Sequence, residues 1–327
     1  MCRWCRVASC RATERLTAPV SASRHVKRGY TARTVPIAVI AFDFDPLLRL
    51  GDGLVVRWQT VALAVAIAAS LVVAGIIARR SSLRADDLLY LAVGAVPGAV
   101  VGGRIGQLAM APEAFSSGPL TLFDPALGGL ELGVGVVGGI ASAAYVGSLL
   151  GAPIGRWATI VALPLLVTLG AGKIAMAVGG SGQGAPLEAA WATAYLGAGP
   201  WGSLAPALPS HPSQLYEGGA SLALAMFLAA SGIGLDATGR ETRDGRALLI
   251  GIGAWAAIRA AVSTTWRDPA ILGSLPVGGV LAVGIVVGAA VALVGVRLWR
   301  RREVLRAAAL ERADEPSWPD PETRAQF

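Results

Sequence analysis

Residues 54–78 read LVVRWQTVALAVAIAASLVVAGIIA, an apolar run interrupted by one charged residue, Arg57, near its start. About 20 such residues carry a helix across the hydrocarbon core of a bilayer. Further runs of this kind occupy about 87–110, 129–151, 157–179, 214–233, 246–266 and 275–297. The composition agrees: 54% hydrophobic residues, 15% charged, 42 glycines and a mean hydropathy of +0.60 are too apolar for a soluble domain of 327 residues. The expectation is an all-α polytopic membrane protein of about seven transmembrane helices. Glycine and alanine fill the helix interiors, where small residues let backbones approach.

Arginine placement orients the chain. Arg79, Arg80 and Arg84 follow the first run, Arg156 lies between the third and fourth, and Arg240, Arg243 and Arg246 follow the fifth. Arg297, Arg300, Arg301, Arg302 and Arg306 follow the last. All fall on one side, whereas residues 181–210 on the other contain no Lys or Arg, so the amino terminus is expected outside and the carboxyl terminus inside. The net charge of +7 then reflects orientation and anionic lipid headgroups; no nucleic-acid partner is needed. Residues 1–34 are arginine-rich, hold Cys2, Cys5 and Cys10, and contain no apolar stretch able to serve as a signal peptide. They read as a basic disordered extension or as an over-long gene reading with initiation near Val35. Cys2-x-x-Cys5 lacks partners at ligand spacing, and no metal or cofactor is expected. The transmembrane domain is placed at 35–300 and a solvated cytoplasmic tail at 301–327.

Against this apolar background the polar residues carry the information, because ionisable groups in or beside a membrane span are costly and mark function. The densest group is His211-Pro212-Ser213-Gln214-Leu215-Tyr216-Glu217. Ser213 is placed to cap the fifth helix and Pro212 to stiffen its start, which leaves Gln214, Tyr216 and Glu217 without a structural reason. His211 is the one histidine outside the amino-terminal region, so an imidazole base is this one. Gly102-Gly103-Arg104-Ile105-Gly106 sets a guanidinium, able to hold a phosphate through two hydrogen bonds, beside glycines that permit close helix contact; Arg104 also reads as an arginine reaching to the headgroups. Lys173, one of two lysines with Lys27, lies inside the fourth run among apolar neighbours. Trp255, Arg259 and Ser263 share one helical face by their spacing of four; an arginine at mid-span needs an anion or a carboxylate, and Glu217 is the expected partner when no lipid is bound.

These motifs resemble, in order, those of the prolipoprotein diacylglyceryl transferases, bacterial membrane enzymes that move diacylglyceryl from phosphatidylglycerol onto a lipoprotein cysteine. The His211–Glu217 heptapeptide is similar to the family signature, Gly102–Gly106 to its Gly-Gly-Arg-x-Gly, and Arg259 to its second essential arginine. Departures are many. Gln59 after Trp58 replaces a tyrosine, Gly133 stands where the family has a histidine, Lys173 replaces an essential arginine, Met176 and Gly179 replace asparagines, and Ser181 replaces a glutamate. Trp255 and Ser263 replace the tyrosine and glutamate that flank the second arginine. Glu131, close to Gly133, reads as a compensating base or as an interfacial carboxylate.

The resemblance implies a lipid-facing helical bundle in the bacterial plasma membrane, with phosphatidylglycerol and a prolipoprotein signal peptide bearing a lipobox cysteine as substrates. In an active enzyme the phosphodiester would lie between Arg104, Lys173 and Arg259, Gln214 and Tyr216 would help bind substrate, and His211 or Glu217 would take the thiol proton. The alternative is a catalytically altered member that binds anionic lipid or lipoprotein precursor without transfer. An unrelated carrier is disfavoured by the heptapeptide and by the absence of an inverted repeat.

Overall fold

Helix boundaries fall where the apolar runs meet charges, prolines and glycines. In the computed structural model, which describes residues 39–51, 53–116, 118, 124, 129–233 and 244–314, α1 is Trp58–Arg80, α2 Ala85–Met110, α3 Leu132–Leu149, α4 Ile154–Val178, α5 Ser213–Ala230, α6 Arg246–Ser263 and α7 Val277–Asp314. The extension expected at 1–34 lies outside the described residues. α2 opens with Asp86 and Asp87 in its first turn, where carboxylates complement the positive end of the helix dipole. α4 starts after Pro153 and ends at Gly179 and Gly180, the latter at φ 69°, a left-handed conformation that glycine adopts without steric penalty.

Among the described residues six helices, α1 to α4, α6 and α7, are long and apolar enough to cross a membrane. α5 falls short because its first turns carry Gln214, Tyr216 and Glu217; it packs between α4 and α6 nonetheless. The largest differences from the sequence reading fall at the first and last spans. Residues 54–57, expected to open the first span, form a strand, and α7 continues past 297 to Asp314, with Arg300 Nη1 3.2 Å from the buried Asp244 Oδ2.

Short strands, unforeseen in the sequence, cap one end of the bundle. β1 (Ile40–Phe42) pairs in parallel with β4 (Thr193–Tyr195), β2 (Leu47–Leu50) with β3 (Leu54–Arg57) as a hairpin, and β5 (Ala270–Leu272) with β6 (Leu275–Pro276). An aromatic cluster fixes the cap: Phe42 stacks on Tyr195 at 4.9 Å, and Trp201 meets Tyr195 at 4.8 Å and Phe44 at 5.2 Å. Gln183 Nε2 donates to the carbonyls of Thr193, Pro206 and Leu208, and Arg267 donates to Gly184 O and Ser210 Oγ. These bonds satisfy carbonyls of an otherwise irregular segment, which a buried loop requires.

Within the bundle α2 and α3 form an intimate antiparallel pair. Gly98 and Gly138 face each other so closely that a Cβ on either would overlap the other's carbonyl oxygen, and Gly102 abuts Val134 O in the same register. On the other side α4 is central: Leu166 and Leu169 pack with Ala225 and Leu228 of α5 and with Leu248, Ile252 and Trp255 of α6. α1 leans on α4 and barely meets α2, while α3 barely meets α4. Between these two groups of helices lies an apolar cavity of about 870 Å³, lined by residues such as Leu71, Ala95, Val136, Ile140 and Leu165. It runs from Glu131 at the capped end to Asp244 and Gly245 at the other.

Candidate active site

Three helices and one helix start converge at the capped end of this cavity. Lys173 sits in the last two turns of α4, Glu217 in the second turn of α5, Arg259 in the last two turns of α6, and Glu131 immediately before α3. Lys173 Nζ lies 2.8 Å from Glu217 Oε2, and Arg259 Nη1 donates to Glu217 Oε1 at 3.0 Å and Oε2 at 3.3 Å. Arg259 Nη2 donates to Glu131 Oε1 at 2.8 Å. Glu217 is therefore the partner of Arg259, as the sequence suggested, but it is shared with Lys173 and joined by a second carboxylate.

Glu131 is buried within the bundle. Its side chain is 1% exposed, and its carboxylate also accepts the backbone N–H of Gly133 at 2.9 Å and of Val134 at 2.6 Å, capping α3. A Cβ on Gly133 would lie 3.2 and 3.3 Å from its two oxygens, so Glu131 occupies the ground beside the position where the family has a histidine. Two cations and two carboxylates are thus linked among the described residues. Burying charge is tolerable only when it is paired and hydrogen-bonded, and here each charge has an opposite partner.

Trp266, beyond α6, covers the cations. Its ring centroid lies 4.8 Å from Arg259 Cζ and 5.9 Å from Lys173 Nζ, within cation–π range. Trp266 also lines a polar cavity of about 220 Å³, bounded by Lys173, Gln183, Gln214, Glu217, Arg267 and Asp268 among others. Gln214 Nε2 donates to Tyr195 Oη at 2.9 Å, while its Oε1 is buried without a partner among the described residues. Burial pushes the Tyr195 phenol up to about 12, with the Gln214 hydrogen bond opposing, so Tyr195 is neutral at physiological pH.

The other expected residues lie apart from the ion cluster's direct bonds. Arg104 is buried on α2 and donates Nη2 to Asp124 O at 2.9 Å. His211 packs its ring edge-on against Tyr216 at 6.2 Å, and its Nδ1 is buried without a described partner. Ser213 does not cap α5: Pro212 holds the capping position, and Ser213 Oγ meets Thr265 Oγ1 at 2.6 Å, tying α5 to the segment after α6. Three of the departures from the family pattern touch one another. Ser181 Oγ donates to Gln59 Oε1 at 2.9 Å, and a Cβ on Gly179 would overlap Gln59. Sequence reasoning missed Trp266 and Tyr195 altogether; an aromatic residue beside Arg267 was the available signal for the first.

Comparison with known proteins is consistent across the transmembrane region. A family model described as prolipoprotein diacylglyceryl transferase matches residues 46–295. The chain is similar to the phosphatidylglycerol–prolipoprotein diacylglyceryl transferase of Methylocella silvestris, 33% identical over 207 residues, covering 58% of this chain and 71% of that protein. The enzyme of the same name from Phenylobacterium zucineum is 26% identical over 298 residues, covering 84% of this chain and 99% of the relative. Against that of Pseudoalteromonas atlantica the identity is 30% over 176 residues, 54% of this chain, and the match spans only 60% of that relative's length.

Proposed function

Because this chain belongs to the prolipoprotein diacylglyceryl transferase family, we propose that it transfers diacylglyceryl from phosphatidylglycerol to the thiol of a lipobox cysteine in the bacterial plasma membrane. The observation that carries this reading is the position of the Lys173–Glu217–Arg259–Glu131 cluster between an apolar cavity of about 870 Å³ and a polar one of about 220 Å³. A phospholipid has the matching polarity. Its acyl chains fit the apolar cavity and its phosphodiester falls at Lys173 and Arg259, with Arg104 on the α2 side of the headgroup. Fixed cations in a water-poor site stabilise charge that develops on a departing phosphate.

The acceptor thiol enters from the polar cavity and loses its proton, since thiolate is the nucleophile. His211 or Glu217 takes that proton: Glu217 lines the polar cavity, and His211 Nδ1 has no partner among the described residues. The thiolate then attacks the glyceryl carbon bound to the phosphate oxygen, that C–O bond breaks, and glycerol phosphate leaves with the electron pair. Gln214, held by Tyr195, offers its unpartnered amide oxygen to a donor on the headgroup or the incoming peptide, and Tyr216 holds the His211 ring.

The test is complementation of a bacterium depleted of its own transferase, with transfer to a lipobox peptide measured in parallel. Growth together with thioether-linked diacylglyceryl on the peptide supports the proposal. Selective phosphatidylglycerol binding with no transfer would replace it with the lipid-binding alternative.

A further inference from the structure

We propose that Glu131 is a built-in counter-anion of the phosphate site, a positioning residue that holds Arg259 when the site is empty and yields it when an anionic headgroup enters. The inference rests on the phosphodiester lying at Lys173 and Arg259. Four observations support it. Glu131 lines the end of the apolar cavity, whereas Glu217 lines the polar one, so a headgroup whose tails fill the apolar cavity meets Glu131 first. Glu131 makes a single contact with the cations, Oε1 to Arg259 Nη2 at 2.8 Å, while Glu217 is bonded to both Lys173 and Arg259. It is therefore the carboxylate that can be displaced while Lys173 stays paired.

Third, the displaced carboxylate is not stranded. The N–H groups of Gly133 and Val134 still hold it, and the positive end of the α3 dipole favours its charge. Two glycines make room around it: a Cβ on Gly106 would come within 2.6 Å of Glu131 Cβ, and one on Gly133 would crowd its oxygens. Fourth, the cluster is charge-neutral before lipid arrives, with Lys173 and Arg259 against Glu131 and Glu217. Without Glu131 it would carry one net positive charge and grip any phosphate, substrate or product, more strongly. Uniformly tighter binding lowers KM without raising turnover, and a product phosphate that leaves slowly lowers kcat. Glu131 thus sets the orientation of Arg259 and limits the grip on phosphate.

The experiment uses the full-length protein with phosphatidylglycerol and phosphatidylethanolamine as probes. Retention is read by native mass spectrometry and transfer kinetics by a lipobox peptide. Glu131→Gln and Glu131→Asn both remove the charge, and asparagine is a strong helix cap, so the second variant keeps α3 intact. Both should retain phosphatidylglycerol about tenfold more tightly, the equivalent of one competing charge-assisted bond removed, with phosphatidylethanolamine, whose ammonium offsets its phosphate, tightened less. KM and kcat should fall together, and Glu131→Asp should lie between them and the parent. A structural cap alone predicts the opposite sign, with weaker retention and a lower melting temperature. Unchanged or weaker phosphatidylglycerol retention in a Glu131→Asn protein that melts like the parent overturns the inference, whether or not transfer occurs. Tighter retention without transfer in any protein, the parent included, leaves the inference standing and removes the enzyme reading.

Discussion

Lys173 and Arg259 are both buried cations, yet their replacement has different consequences because their partners differ. Arg259 is bonded to Glu131 and Glu217, so Arg259→Ala leaves Glu217 to Lys173 and Glu131 to the N–H groups of Gly133 and Val134 and should destabilise the protein by about 1–3 kcal/mol, a loss visible in thermal melting before any lipid is added. Lys173 shares Glu217 with Arg259, and Lys173→Met leaves Glu217 still paired. That variant should therefore fold and lose phosphatidylglycerol binding by about 1.5–3 kcal/mol, the range of one charge-assisted hydrogen bond, with phosphatidylethanolamine, whose ammonium offsets its phosphate, weakened less. Lys173→Arg should preserve or raise transfer to a lipobox peptide, since a planar guanidinium holds phosphate through two bonds; a loss of transfer would show that the site has been rebuilt around the ammonium. Tyr195 offers a test of the cap. Its phenol is raised to about 12 by burial, so the neutral form is favoured in the fold. The associated stability is complete below about pH 10, the ordinary tyrosine value, and is lost as pH rises towards 12. Melting curves of Tyr195→Phe should show about 1 kcal/mol lower stability at neutral pH and no such alkaline loss.

Among the elements, α2 and α3 show what glycine does in this chain. Gly98 and Gly138 bring the two backbones into contact, and between helices in lipid that contact, rather than expulsion of apolar surface from water, is the driving force. Gly138→Val should thus cost about 1–3 kcal/mol through overpacking and loosen the wall of the apolar cavity; thermal melting and protease resistance check it, and an unchanged melting temperature would mean that the pair is adaptable. The same element scale explains what was legible in the sequence. Seven helical runs were readable because membrane helices are long and apolar. Residues 54–57 were assigned to the first span because a count of apolar residues does not register a hairpin, although the Asp-Gly pair at 52–53 is a turn signal. β1 and β4 lie some 150 residues apart in the chain, and no local pattern announces their pairing. Lys173, Glu217 and Arg259 stood out as charges within apolar runs. Glu131 reads two ways, as a compensating base or an interfacial carboxylate, and a carboxylate at the edge of a run stays so until α6 is known to bring Arg259 against it.

At the scale of the whole molecule, the two ends of the bundle differ in both charge and construction, and this makes orientation testable. The capped end carries the strands, the polar cavity and the arginine-free residues 186–210, and Leu204 there is fully exposed. The opposite end carries Arg79, Arg80, Arg84, Arg156, Arg246 and the arginines of α7, with Arg156 Nη2 donating to Ser81 O and Arg300 paired to Asp244. Moving the arginine end across a membrane would desolvate several guanidinium groups, whereas moving the capped end desolvates few, so the capped end is predicted to face outward. Under the proposed function, a lipobox cysteine arriving from the outer side would then reach the polar cavity directly. With Cys2, Cys5 and Cys10 replaced, a single cysteine at Leu204 should react with an impermeant maleimide in intact cells, and one at Ser82, in the exposed α1–α2 connection, should react only after the cells are opened. Labelling at Ser82 alone in intact cells would invert the topology. The polar cavity would then open towards the cytoplasm, and the acceptor would have to be a cysteine presented before export.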